Sequence, residues 1–116
     1  MPKSKLDPLP LAAFQILLSL AGADLHGYGI MRQVADQTGG RMRLGPGTLY
    51  SSIQSLLEEK LIEEVTSADG KEAEQDRRRV YRLSPAGRKL ARQEAERLAD
   101  LLRVARAKNI LRGDYV

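Results

Sequence analysis

Apolar positions along this chain follow two rhythms, and the rhythms mark out its elements. Leu11, Phe14, Leu17, Leu18 and Ala21 recur every three or four residues. They predict a first, mostly buried helix that Asp7 caps, Pro8 opens and Gly22 stops. Ile30, Met31, Val34 and Ala35 form the buried side of a second helix, from about Asp24 to Thr38-Gly39-Gly40. Leu49, Ile53, Leu56 and Leu57 define a third, Gly47 to Glu59, on an arc of roughly 100°. Between the second and third, Arg41-Met42-Arg43-Leu44 alternates and reads as a short strand that Gly45-Pro46 breaks. Residues 61–66 and 78–83 read as two more strands, joined by a long polar loop from Ser67 to Asp76. Ser84-Pro85 then opens a last helix, predicted to run to Leu111 over about 40 Å.

Helix, helix, short strand, helix, strand, long loop, strand, helix is the order of a winged helix-turn-helix. The predicted class is α+β, mostly helical, with the second and third helices as the helix-turn-helix pair. Residues 1–84 would form that winged unit, and residues 85–116 a C-terminal dimerisation helix.

The polar side of the third helix changes the picture most. Gly47, Thr48, Ser51, Gln54 and Ser55 are small or neutral hydrogen-bonding residues, with Tyr50 at the edge and Glu58 the first acid. A solvated helix in so charged a chain would carry Lys and Glu there. This face suits close contact with another polar surface, such as the floor of a DNA groove.

Charge distribution points the same way. The net charge is +4, but residues 1–57 hold five bases and three acids, 58–76 two and eight, and 77–116 twelve and four. The basic block suits a polyanion, although a solvated helix face accounts for it equally well. A chain of 116 residues is one domain's worth; with 4% aromatics and no Trp, its core must be aliphatic. Cysteine is absent and histidine occurs once, which excludes disulfides, thiolate metal sites and His-rich centres. No apolar run is long enough to span a membrane. Leu9 to Ala23 resembles a signal segment but lacks a convincing cleavage site, so a soluble, cytoplasmic chain is expected. His26 reads as a structural or capping residue, because the sequence positions no carboxylate or nucleophile beside it. Gly27 and Gly29 allow close approach to the second helix, by a neighbouring helix or by a phosphate at its N-terminus.

In the last helix Ala91, Ala95, Leu98, Leu102 and Ala105 form a heptad seam, with Leu90, Leu101 and Val104 beside it. One stripe can pack on the parent domain and the other on a twin helix. Small alanines are also compatible with close packing inside a monomer.

Several spaced motifs agree in order with one family. His26-Gly27-Tyr28-Gly29-Ile30, Pro46-Gly47-Thr48-Leu49-Tyr50, Leu57-Glu58-Glu59-Lys60-Leu61-Ile62 and Arg78-Arg79-Val80-Tyr81-Arg82-Leu83 followed by Gly87 resemble the PadR family of bacterial transcriptional regulators. The resemblance runs from about Leu11 to the end of the chain, and its single last helix is similar to the short form of the family. It implies a winged-helix DNA-binding domain, a homodimer built on the last helix, and repression of promoters. In some members a small aromatic or drug-like ligand relieves that repression, and the resemblance makes plausible such a pocket between the first and last helices of a dimer, with Phe14 and Tyr28 the only aromatics near that place. Two positions depart from the pattern. Lys60 stands where the family commonly has Gly, which suits the turn after a helix. Gln54 and Ser55 stand where relatives often carry a basic residue, so the base preference cannot be transferred.

Under this reading Thr48 and Tyr50 contact phosphates, Ser51, Gln54 and Ser55 face bases, and Tyr28 joins the DNA-binding set. Arg77, Arg78 and Arg79 grip the backbone from the base of the wing, while its acidic tip stays clear. Leu98, Leu101, Leu102 and Ala105 form the dimer contact. No cofactor, metal or catalytic constellation is expected. The rival reading is a winged-helix module that binds proteins and not DNA.

Overall fold

The computed structural model describes residues 6–65 and 79–112. Its elements are α1 (Leu11–Gly22), β1 (Leu25–His26), α2 (Gly27–Gln37), α3 (Pro46–Glu58), β2 (Ile62–Val65), β3 (Val80–Leu83) and α4 (Pro85–Ala107). The predicted loop from Ser67 to Asp76, together with Arg77 and Arg78, lies outside the described residues. The class is α+β, mostly helical, and the three strands form one antiparallel sheet in the order β1-β3-β2. Glu64 pairs with Tyr81 on one side of β3 and Leu25 pairs with Tyr81 on the other, so β3 is the central strand.

The apolar stripes meet in one core. Ile16 and Leu17 from α1, Ile30 and Val34 from α2, Leu49 and Leu56 from α3, and Ile62 from β2 are fully buried in it. Each contributes about 2 kcal/mol by burial. Since α3 gives its whole apolar stripe to this cluster, its polar side is forced outward.

Two expectations fail near the start. α1 begins at Leu11 with Pro10 as its N-cap and no side-chain cap, not at Asp7-Pro8. Pro10 disfavours the helical region for Leu9, so the helix cannot extend back to Pro8. Leu6 is instead buried against the core. Nor is α1 apolar only where it is covered, because Leu11 and Leu18 are exposed.

The first strand is also elsewhere. Arg41 to Leu44 form no strand. The Met42 N–H donates to Thr38 Oγ1 at 3.0 Å, and Gly39 and Gly40 adopt φ of 61° and 80°, which turns the chain. The third place in the sheet goes to β1, where Leu25 pairs with Tyr81 and His26 with Val80. Consequently α2 starts at Gly27 and not near Asp24, with His26 as N-cap. Two residues are too few for an alternating pattern to register.

The helix ends carry the connections. After α3, Lys60 takes φ 60°. The Lys60 N–H donates to the Leu57 carbonyl at 3.0 Å and the Leu61 N–H to the Leu56 carbonyl at 2.9 Å, a complete Schellman motif without glycine. Ser84 Oγ donates to the Lys60 carbonyl at 2.8 Å and accepts from the Gly87 N–H at 3.0 Å. One serine thereby caps α4 and fastens it to the end of α3. α4 ends at Ala107, short of Leu111, because Asn109 at φ 62° closes a second such motif. Its 23 residues span about 34 Å.

Candidate nucleic-acid interface

α3 presents its N-terminus and its polar side to solvent. Gly45 caps it without a side chain, Pro46 occupies the first turn, and no acid stands there. The first-turn N–H groups and the positive end of the helix dipole are thus open to an anion. Thr48, Tyr50, Ser51 and Gln54 are exposed and Ser55 is half-buried. Gln54 Nε2 donates to Glu58 Oε1 at 3.3 Å, so that amide exchanges a weak partner on binding.

α2 lies beside this face. His26 Nδ1 accepts from the Gly29 N–H at 2.9 Å, the capping role its position suggests. Tyr28 is 63% exposed, and the Arg32 guanidinium lies 6.0 Å from its ring centroid. Gly27 explains its own residue type: a Cβ there would stand 2.8 Å from Tyr50 Oη and 3.2 Å from Tyr50 Cζ. Of the two approaches that the glycine pair allows, Gly27 is used by a side chain of the neighbouring helix.

β3 closes the third side. Tyr81 is 5% exposed, and burial, with the Glu64 carboxylate behind it, pushes its phenol above the usual range. Arg79 Nε lies 3.7 Å from Glu64 Oε1, both side chains well exposed, a contact worth little. Arg82 pairs with Asp24 at 3.0 Å and ties β3 to the segment entering β1.

Together His26, Tyr28, Gly29, Arg32, Tyr50, Arg79 and Tyr81 line a cavity of about 750 Å³. Tyr28, Tyr50 and Arg79, which the sequence suggested, meet there; Thr48, Ser51, Gln54 and Ser55 follow the outer face of α3. Arg32 and Tyr81 were missed. Arg32 had a signal in standing four residues after Tyr28 on one helix face, whereas nothing local marked Tyr81 as facing inward toward α3. Among the described residues no cluster of His, Cys, Asp or Glu is suited to hold a metal, and no helix is long and apolar enough to cross a membrane.

The α4 seam divides. Ala91 is buried against the protein's own core, while Leu98 and Ala105 are half-buried and Leu102 is 44% exposed. Leu101 and Val104 beside it are about half exposed, at 52% and 48%. A shallow groove between α1 and α4 is lined by Leu18, Leu83, Ala91 and Ala95 among others, with no aromatic residue among the described residues that line it. Phe14 is buried and Tyr28 faces the cavity beside α3, so they do not share a pocket between those helices.

The profile of the PadR-like family of transcriptional regulators matches residues 16–93. An uncharacterised 37.1 kDa protein in transposon Tn4556 of Streptomyces fradiae is 36% identical over 90 residues, which are 78% of this chain. The match covers 24% of that protein, so the chain spans about a quarter of its length. Among solved structures, a transcriptional regulator from Clostridium thermocellum is 26% identical, covering 82% of this chain and 89% of that one, with TM-score 0.65. A PadR family transcription regulator from Clostridium difficile R20291, 20% identical, shares the fold over 84% of this chain and 97% of its own, with TM-score 0.70.

Proposed function

The chain belongs to the PadR-like family of transcriptional regulators, and from that premise we propose that it binds DNA sequence-specifically as a homodimer, represses transcription from a pseudo-palindromic operator, and is released by a small ligand. It is a regulator and not an enzyme. The observation that carries the reading is the exposed side of α3, uncharged from Gly47 to Ser55 and flanked by Tyr28, Tyr50 and Arg79. Ser51, Gln54 and Ser55 face the bases in the major groove; a Gln pairs bidentately with adenine, whereas Ser discriminates little. Thr48, Tyr50, Tyr28 and the open N-terminus of α3 hold phosphates. Arg79, with Arg77 and Arg78, grips the backbone from the wing. Residues 1–84 act as the DNA-binding unit and 85–116 as the dimerisation element, through Leu98, Leu101, Leu102 and Ala105. A two-fold axis there sets two copies of α3 about one DNA turn, roughly 34 Å, apart.

Fluorescence anisotropy with random and selected duplexes across a salt series tests this. Binding at low salt with a steep salt slope is expected, and replacing Arg77, Arg78 and Arg79 by Ala should reduce that slope by up to about three. An absence of binding to any duplex at low salt would favour the rival, a winged helix that docks on proteins. Against that rival stands the lack of any exposed apolar residue on α3 besides the Tyr50 ring.

A further inference from the structure

We infer that Ser84 is a positioning residue for DNA binding: its hydroxyl ties the end of α3 to the start of α4 and so fixes the half-site spacing that the dimer accepts. Such positioning rests on the reading of the chain as a DNA-binding homodimer. It goes beyond that reading by naming what holds the two copies of α3 at one distance.

A continuous path of hydrogen bonds forms the junction. The last turn of α3 receives the Lys60 and Leu61 N–H groups on the Leu57 and Leu56 carbonyls, at 3.0 and 2.9 Å. Lys60 and Leu61 in turn offer their own carbonyls to Ser84. Its Oγ hydroxyl donates to the Lys60 carbonyl at 2.8 Å, and its backbone N–H to the Leu61 carbonyl at 3.1 Å. The same Oγ accepts from the Gly87 N–H at 3.0 Å, inside the first turn of α4. Ser84 is only 6% exposed, so water does not readily replace these bonds.

An N-cap needs only an acceptor, which Ser, Thr, Asp and Asn all supply. Ser84 is also a donor, and the carbonyl it meets belongs to the turn that ends α3. The hydroxyl therefore does two separable things: it caps one helix and fastens that helix to another.

The length of α4 makes the fastening matter. Ala91 is its last buried residue, and the exposed Leu101, Leu102 and Val104 lie well beyond it. From Ser84 to Leu102 the helix runs about 27 Å, so a tilt of about 10° at Ser84 displaces the far end by about 5 Å. With the dimer contact held, each copy of α3 shifts instead. The pair then changes its separation by up to about 10 Å, close to three base pairs at about 3.4 Å each. A loose junction spreads binding over several spacings; a fastened one selects a single spacing.

Half-sites selected from a random duplex pool provide the probes: duplexes with one half-site, and duplexes with two whose spacer varies by up to about three base pairs. Fluorescence anisotropy gives the affinities, and circular dichroism confirms that each variant is folded. The parent should prefer one spacing and lose about tenfold or more on a shift of about two base pairs. Ser84→Ala removes both roles of the hydroxyl. Ser84→Asp keeps the cap, and folding with it, but offers no donor to Lys60. Both should bind a single half-site within about twofold of the parent while their spacing preference shrinks to about threefold or less. Ser84→Thr, which donates and accepts, should restore the parent's profile. A flat profile in the parent, a parent-like profile in Ser84→Ala, or one recovered by Ser84→Asp overturns the positioning role. Equal losses on one and two half-sites overturn it too, because they mark a structural effect alone. Failure of the parent to bind any duplex overturns the DNA reading, and no gain from a second half-site overturns the dimer reading; the positioning role falls with either.

Discussion

The carbonyl oxygen of Leu61 stands 1.9 Å from where a Cβ on residue 87 would lie, so the first turn of α4 rests directly on the backbone that follows α3. Leu61 C and Leu83 Cδ1 are each 2.9 Å from the same point. Ser84 reinforces the contact by donating its backbone N–H to that carbonyl at 3.1 Å. The angle between α3 and the long last helix is thus set by a backbone-on-backbone contact that only glycine permits.

Gly87→Ala should therefore destabilise the protein although alanine is the better helix former by about 1 kcal/mol. Overpacking against a carbonyl that cannot rotate away outweighs that gain, with a net loss of about 2 kcal/mol. Thermal unfolding followed by circular dichroism checks this, and an unchanged or raised midpoint would refute the contact.

Lys60→Gly should act in the opposite direction. A lysine at φ 60° bears a steric cost that glycine avoids, and the hydrogen bonds of the turn involve only backbone atoms and Ser84. The expected gain is about 1 kcal/mol, a rise of roughly 4 °C in melting temperature.

Gly27→Ala separates folding from binding. The obstructing atoms belong to the far end of the exposed Tyr50 ring, which can swing aside at little cost. Melting temperature should hardly change, while duplex affinity falls about fivefold through the displaced ring. Equal affinity for duplex would remove Tyr50 from the interface.

Alkaline stability should report Tyr81. Burial, followed by the Glu64 charge, raises its phenol above the ordinary value, against a smaller lowering by Arg79. The folded protein holds this proton more firmly than the unfolded chain does. The resulting stabilisation is complete below about pH 10 and disappears as pH rises through the folded value. Melting temperature should drop above about pH 10 in the parent and drop less in Tyr81→Phe. At neutral pH the two should melt within about 0.5 kcal/mol of each other, since among the described residues the hydroxyl is not a buried group left without a partner.

Leu102→Glu addresses the far half of α4, where Leu101, Leu102 and Val104 are exposed. Sedimentation at micromolar concentration should show the parent at twice the 12.9 kDa chain mass and the variant as a single chain. DNA affinity should fall with dimerisation, while the melting temperature of the dilute protein stays near the parent's. A parent sedimenting as one chain would exclude the dimer.

Elements whose period is long and regular are legible in the order of residues alone. The stripe of Leu49, Ile53 and Leu56 fixed both the existence of α3 and which side of it faces outward, because burying one face leaves the other no choice. The spaced motifs around Tyr28, Tyr50 and Arg79 were legible as well, and the family match extends through them. Local periodicity failed where an element is too short to have a period. Leu25-His26 became a strand only because β3 offered an unpaired edge, and Arg41 to Leu44 alternated yet turned because Thr38 captured the Met42 N–H. The closing of the cavity was likewise a tertiary decision. Tyr81 approaches α3 through the strand order β1-β3-β2, and Gly27 admits Tyr50 from a helix more than twenty residues away. Residue patterns record which face is buried; which groups meet across that boundary depends on how the buried faces pack.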